Sequence, residues 1–405
     1  MNTVYHGATV IDGSGARTLK DAVLVVANGR IVAVGARGAV AVPEEAAPVD
    51  LTGKFLIPGL IDCHVHVDLH GLADTYAENL VEDKLRTLRA AEAMRRTLRA
   101  GFTTVRSVGS VNYIDLAVKR GIENGYLRGP RILAAGKIIT MTSSGTAYFE
   151  GMYREADGPD ECRRAAREQL KEGADFLKLM ATGAVMNPGS RPGAAELDRE
   201  EIEAIVQEGR KQGKHTAAHA HGAEGIKNAV AAGVRTIEHG TLADDEALAM
   251  IRDAGAYLVP TLSPRRLFLA NADQVPPFIV EKSKQMVAAT DRLVGRAKQA
   301  GVKIAMGTDA GTNFNHHGDN AQEIVHLVES GAMTPLEALT AATATAAEAI
   351  MMDHDVGALA PGKLADMLIL DEDPLENIRV LLDPAKIRVI LGGQEITTRF
   401  PCDGM

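Results

Sequence analysis

The chain has 405 residues, with 53 Asp or Glu against 44 Lys or Arg and a formal net charge of −9. That balance argues against a nucleic-acid footprint, which needs a basic patch or stripe, and no apolar run approaches the roughly 20 residues of a membrane span. At 46% hydrophobic and 24% charged, the composition is that of a soluble globular chain long enough for one large α/β barrel or several smaller units.

The N-terminus lacks a charged region followed by an apolar one, and Cys63, Cys162 and Cys402 are scattered. Both features lead us to expect a reducing cytoplasm. Residues 22–35, AVLVVANGRIVAVG, are two alternating runs joined by Asn28-Gly29, a strong hairpin signal. IPGLIDCHVH, ending at His66, reads as the first strand of a longer pattern. From there one phrase repeats: a charged helical stretch ends in Gly, and an apolar β-branched run follows. The glycines are Gly101, Gly173, Gly213, Gly233, Gly255 and Gly301. A Gly just past a helix supplies a left-handed cap, and the run after it has strand composition. Leu85, Leu88, Ala91, Met94 and Leu98 keep a helical apolar spacing, and Asp198 with Glu201 reads as a capping box.

With GPRILAAG, the pattern makes eight strands alternating with helices, which predicts a (β/α)8 TIM barrel over residues 57–356. A doubly wound open sheet is the competitor. ADMLILD at 365–371 and KIRVILGGQEI at 386–396 add strands near the C-terminus. Chain termini often lie close in space, so residues 1–56 and 357–405 are expected to form one small β-sandwich domain.

The chemistry-bearing residues cluster at predicted strand ends. His64 and His66 close strand 1, and i and i+2 share a strand face, so both imidazoles converge and suit a divalent metal. Hydrogen-bonded core histidines are the alternative. Lys178 stands among Phe176, Leu177, Leu179 and Met180. Inside a barrel its ammonium needs an anion or a chemical change; at the rim it reaches solvent along its stem. His215, His219 and His221 share one parity on strand 5, so spacing does not choose the ligand among them. His239 ends strand 6, and Asp309 ends strand 8, where a turn or cap role competes. Six such residues on the C-terminal rim point to a metal centre, because that face carries the active site in this fold.

This set resembles the amidohydrolase superfamily over nearly the whole chain. KFLIPG at 54–59 and EALTAATATAAEAI followed by Gly357 and PGKLAD at 361–366 are similar to its opening and closing segments. AHAHGAEGIKNAVAAGVRTIEHG at 218–240 most resembles the branch of imidazolonepropionase-like enzymes and metal-dependent dipeptidases. The resemblance implies a carboxylated Lys178 bridging two divalent ions, most commonly Zn²⁺, with His64, His66 and Asp309 on one and His219 and His239 on the other. It implies hydrolysis of a linear amide, a dipeptide or N-acyl amino acid, by a hydroxide between the metals, with Asp309 as general base and then acid. Opening of a cyclic, imidazolone-type amide is the alternative, followed by deamination and by a non-catalytic scaffold. The expected partner is a small-molecule amide, and relatives frequently assemble as homo-oligomers. His221, Tyr148, Tyr153, Arg191 and His317 are the candidate substrate contacts. Dipeptidase-like relatives often carry Gly-Gly-His after strand 3, where this chain reads Met141-Thr142-Ser143-Ser144-Gly145.

Overall fold

The computed structural model describes residues 2–16, 18–143 and 145–396, so Ser144 and Cys402 lie outside the described residues. All eight expected strands form: β1 (Leu60–Val65), β2 (Phe102–Ser107), β3 (Arg131–Ala134), β4 (Leu177–Met180), β5 (Thr216–Gly222), β6 (Thr236–Leu242), β7 (Tyr257–Val259) and β8 (Lys303–Ile304). The six repeat glycines all have positive φ, from 64° to 103°. Each ends its helix in the left-handed region, which only Gly enters without a Cβ penalty.

β1 to β3 pair in parallel, as do β4 to β8. The two runs meet at both seams. Cys63 N–H donates to the Met306 carbonyl at 3.0 Å and Asp309 N–H to the His64 carbonyl at 2.7 Å, joining the end of β8 to β1. On the other side Asp175 N–H donates to the Ala134 carbonyl at 2.8 Å, and Ile138–Thr140 pairs with β4. An all-parallel sheet is buried on both faces, so β1, β2 and β4 are buried throughout. Alternation sends Ile61, Cys63, Phe176, Ala217 and Val259 to one core and Leu177, Leu179 and Ala218 to another, under the helices.

The strands of both termini join one eight-stranded sheet rather than two separately paired ones. Phe55–Pro58 is the seam, parallel to Thr3–Ile11 and antiparallel to Met367–Leu370. The expected hairpins form at Asn28-Gly29 and Gly392-Gly393, all four residues at positive φ. The sheet curls, so that Ala365 N–H reaches the Gly29 carbonyl at 2.8 Å, and its inner face buries Tyr5, Val10, Leu24, Leu56 and Met367. No described helix is long and apolar enough to cross a membrane.

One expectation fails on the helix Asp83–Arg99. Leu85 and Leu88 are 44% and 67% exposed, and Arg86 is buried in their place. Arg86 Nε donates to the Asp68 carbonyl at 3.1 Å and lies 3.6 Å from the Asp68 carboxylate, so the ion pair rather than apolar spacing sets that helix face. The capping box at Asp198 and Glu201 is present.

The segment between β4 and the helix Arg199–Lys211 folds over the strand ends and packs on Gly222, where a Cβ would fall 2.1 Å from the Gly193 carbonyl oxygen. Gly222→Ala is therefore expected to lower stability by about 1–3 kcal/mol. Gly295→Ala, in a helix with open space around it, should be neutral or raise stability by up to about 1 kcal/mol. Urea unfolding of the two variants checks the pair; equal effects would show that the close approach at Gly222 does not matter.

Candidate metal centre

β1 delivers two imidazoles to the same place. His66 Nδ1–H donates to the Gly109 carbonyl at 2.9 Å, and His64 Nδ1–H donates to Glu238 Oε2 at 2.8 Å. Both Nε2 atoms then face Asp309 Oδ1, each at 3.4 Å. An acceptor on Nδ1 selects the tautomer whose Nε2 lone pair is free for a ligand. Burial opposes charge on Asp309, but His64, His66 and His239 hold its carboxyl well below the usual range, so it is ionised at neutral pH.

The support beneath this group is a charged core that the sequence reading did not identify. Arg106, on β2, donates from Nη2 to Glu238 Oε1 at 2.7 Å, from Nε to the Cys63 carbonyl at 2.6 Å and from Nη1 to Thr236 Oγ1 at 3.0 Å. Arg106 and Glu238 are both 0% exposed. Burial would raise the Glu238 carboxyl, but Arg106 and His64 bring it down to about 2. Phe176 lies against the guanidinium at 5.3 Å, and His215 stacks on the same ring at 5.1 Å. His215 is therefore packed in the barrel floor, away from the ligand cluster formed by its strand neighbours. The available signal for Arg106 was the same as for Lys178: a charge inside an otherwise uncharged strand.

Lys178 is 2% exposed and opens into the cavity. Burial lowers its pKa to about 8, despite the Glu238 and Asp309 carboxylates and with Arg106 acting in the same direction as burial. Across from His64 and His66, ring nitrogens of His219, His221 and His239 lie within 4.8 Å of one another. His239 Nδ1 bonds Thr261 Oγ1 at 2.6 Å, and His221 Nδ1 bonds Thr241 Oγ1 at 3.0 Å. His221, expected as a substrate contact, thus sits among the expected ligands, its ring stacked on His239 at 4.8 Å.

Backbone strain is concentrated here. His239, Thr261 and Asp309 have φ of 70°, 46° and 60°, where non-Gly residues are costly. At β6 the left-handed residue breaks alternation, so adjacent Glu238 and His239 both serve the barrel interior.

Both histidine groups, Lys178 and Asp309 line one cavity, of about 80 Å³. Its walls are apolar, with Phe149, Met152, Met180, Met186 and Phe268 around the polar floor. Tyr153 lines it and bonds the Asn187 side chain. Tyr148 lies outside, its hydroxyl donating to Asp74 at 2.7 Å. Arg191 is exposed and outside the lining. His317 is buried behind the site, its Nε2–H donating to the His66 carbonyl at 3.0 Å. Arg265, unremarked in the sequence, lines the cavity.

The donor set is nitrogen and oxygen without thiolate, which suits Zn²⁺ and does not select it over Co²⁺ or Mn²⁺. Cys63, nearest in sequence, is buried in the apolar core, where burial pushes its thiol far up. A barrel with two such groups at its strand ends is a TIM-barrel scaffold with two potential metal sites. Residues 55–396 match the Amidohydrolase family model, and the chain belongs to that family. It is 31% identical to ochratoxinase from Aspergillus niger over 97% of this chain and 86% of the relative. The solved Aspergillus niger ochratoxinase superposes with a TM-score of 0.89 at 30% identity, covering 97% of this chain and 95% of the other. A Xaa-Pro dipeptidase with methionine bound in its active site gives 0.89 at 31% identity, over 98% and 100%. Imidazolonepropionase from Methylobacterium nodulans is 26% identical over 92% of this chain and 94% of the relative. The protein is accordingly a hydrolase acting on carbon–nitrogen bonds.

Breaking a buried ion pair by removing one partner costs about 3–5 kcal/mol, because the other charge stays buried. Arg106→Met should lose stability in that range, and adding Glu238→Gln should recover part of it. Chemical denaturation of the single and double variants checks this; additive losses would mean that the two side chains do not depend on each other.

Proposed function

We propose that the protein hydrolyses a linear amide, a dipeptide or an N-acyl amino acid, at a binuclear centre. The observation that carries this reading is the pairing of His64 and His66 Nε2 with Asp309 Oδ1 at 3.4 Å, opposite the cluster of His219, His221 and His239. His64, His66 and Asp309 would hold one ion and His219 and His239 the other, most commonly Zn²⁺, with Lys178 carboxylated between them. A buried amine with its pKa brought to about 8 is a reasonable partner for CO₂, and the resulting carbamate would add a second anion to that of Asp309 in the cavity. Bound divalent ions supply Lewis acidity, activating water near neutral pH and polarising the scissile carbonyl.

Within that reading Asp309 moves the proton. Its carboxylate takes the proton of the attacking water at Oδ and returns it to the leaving nitrogen, which must leave as an amine. Lys178, His221 and Tyr153 line the same cavity, and the apolar walls exclude bulk water and hold the hydrocarbon part of the substrate. We take 57–356 as the catalytic domain and 1–56 with 357–405 as a small β domain, expected as a sandwich and built around one curled sheet. The likeness to imidazolonepropionase supports cyclic-amide opening as the second reading.

Hydrolysis of dipeptides, N-acyl amino acids and cyclic amides by protein loaded with zinc and bicarbonate separates these readings. Turnover of the linear classes is expected, and turnover of cyclic amides alone would replace the first reading by the second. Asp309→Asn should cut kcat by about 10²–10⁴-fold while elemental analysis still finds much of the metal; near-normal turnover would remove the proton-transfer role.

A further inference from the structure

Arginine offers five N–H donors, no acceptor and a charge that it does not lose near neutral pH. Arg265 sits at the start of the helix Ser263–Ala270, which follows β7, and is 8% exposed. The Glu323 carboxylate anchors that helix start, accepting from Leu262 N–H at 2.7 Å and Ser263 N–H at 2.8 Å. The guanidinium has one weak bond, from Nη2 to Thr241 Oγ1 at 3.4 Å, and its Nε and Nη1 have no hydrogen-bond partner among the described residues. The other two buried arginines among the described residues each have a carboxylate partner, Glu238 for Arg106 and Asp68 for Arg86, although Arg86 Nη2 also lacks a hydrogen bond, whereas Arg265 has only the longer-range charge of Asp291. A buried charge with unfilled donors is costly unless an anion arrives.

The position says which part of a ligand would bring that anion. Arg265 lines the same cavity as His64, Lys178 and Asp309. Thr241 Oγ1 bonds both the Arg265 guanidinium and His221 Nδ1, so the cation stands one side chain from the histidine cluster. Phe268 follows three residues later on the same helix and also lines the cavity, packed with Val185 and Met186. Residues at i and i+3 share a helix face, which sets a cation and an aromatic ring side by side.

We propose that Arg265 is the specificity-determining residue, binding the carboxylate of a substrate whose leaving amine is an α-amino acid with a bulky apolar side chain. Phe268 and Met186 take that side chain. The inference rests on the linear-amide reading and narrows it. Arg191, the arginine that the sequence offered as a substrate contact, is exposed instead.

The test compares N-acetyl-L-phenylalanine with N-acetyl-L-phenylalaninamide on metal-loaded wild type, Arg265→Met and Arg265→Lys. Losing a buried charge partner corresponds to roughly 100-fold. Wild type is expected to prefer the carboxylate in kcat/KM by about that factor, Arg265→Met to lose the preference, and Arg265→Lys to keep part of it. Calorimetric binding of L-phenylalanine to the same proteins gives a readout independent of turnover, and its Kd should rise by a similar factor in Arg265→Met. Because the methionine removes a buried charge with two unfilled donors, its ligand-free Tm should equal or exceed that of wild type. A wild type without carboxylate preference, or L-phenylalanine binding unchanged in Arg265→Met, overturns the proposal. If wild type cleaves neither linear substrate, the linear-amide reading fails, and the binding arm still decides whether Arg265 holds a carboxylate.

Discussion

A guanidinium on β2, a carboxylate on β6 and an imidazole on β1 are joined across the barrel interior by bonds of 2.7 and 2.8 Å. The rest of the site depends on this chain. None of the three groups is more than 1% exposed, and charges so far from water are tolerated only when paired and hydrogen-bonded. The pairing therefore ties strands from opposite sides of the barrel. It also leaves His64 one orientation, with Nδ1 on Glu238 and Nε2 toward Asp309. The His66 ring is held in the same sense by the Gly109 carbonyl. A ligand set with fixed ring orientations is pre-organised, which is what a metal centre requires of its supporting groups.

Arg106 and Arg265 show how satisfaction separates structure from recognition. Arg106 fills its donors with protein acceptors and sits beneath the site, against Phe176. Arg265 leaves two nitrogens without partners and lines the open volume. Lys178 lines the same cavity as Arg265, and burial pulls its amine down to about 8. The apolar walls make these polar groups matter, because charge–charge and charge–dipole interactions strengthen as water is excluded. Strain is concentrated in the same region. Left-handed His239, Thr261 and Asp309 persist because hydrogen bonds on both sides hold them, such as Asp309 N–H to the His64 carbonyl.

Much of this was legible before folding. The repeat of helix, glycine and β-branched run marked six of the eight strands, because a left-handed cap and a strand composition are local properties, and apolar composition marked β1 and β3. The histidines of β1 were placed together by the two-residue strand period alone. Local rules also misled where a long-range partner intervened. Leu85 and Leu88 match a helical apolar face, yet Arg86 is turned inward by Asp68. His221, expected as a substrate contact, lines the cavity and also lies within the histidine cluster, since parity on β5 does not distinguish depth along the barrel.

The sequence by itself determined the eight-strand order, the hairpins of the terminal sheet and the residue types of the donor set, since these follow from neighbours a few positions apart. Only the tertiary structure decided that Glu238 meets Arg106 and His64, residues 132 and 174 positions away. It also decided that Glu238 and His239 both serve the interior, and that Arg265 rather than Arg191 stands in the cavity. The reason is physical: period-two alternation describes a regular strand, whereas a closed barrel with left-handed residues at its rim chooses its inner contacts by closure and charge compensation.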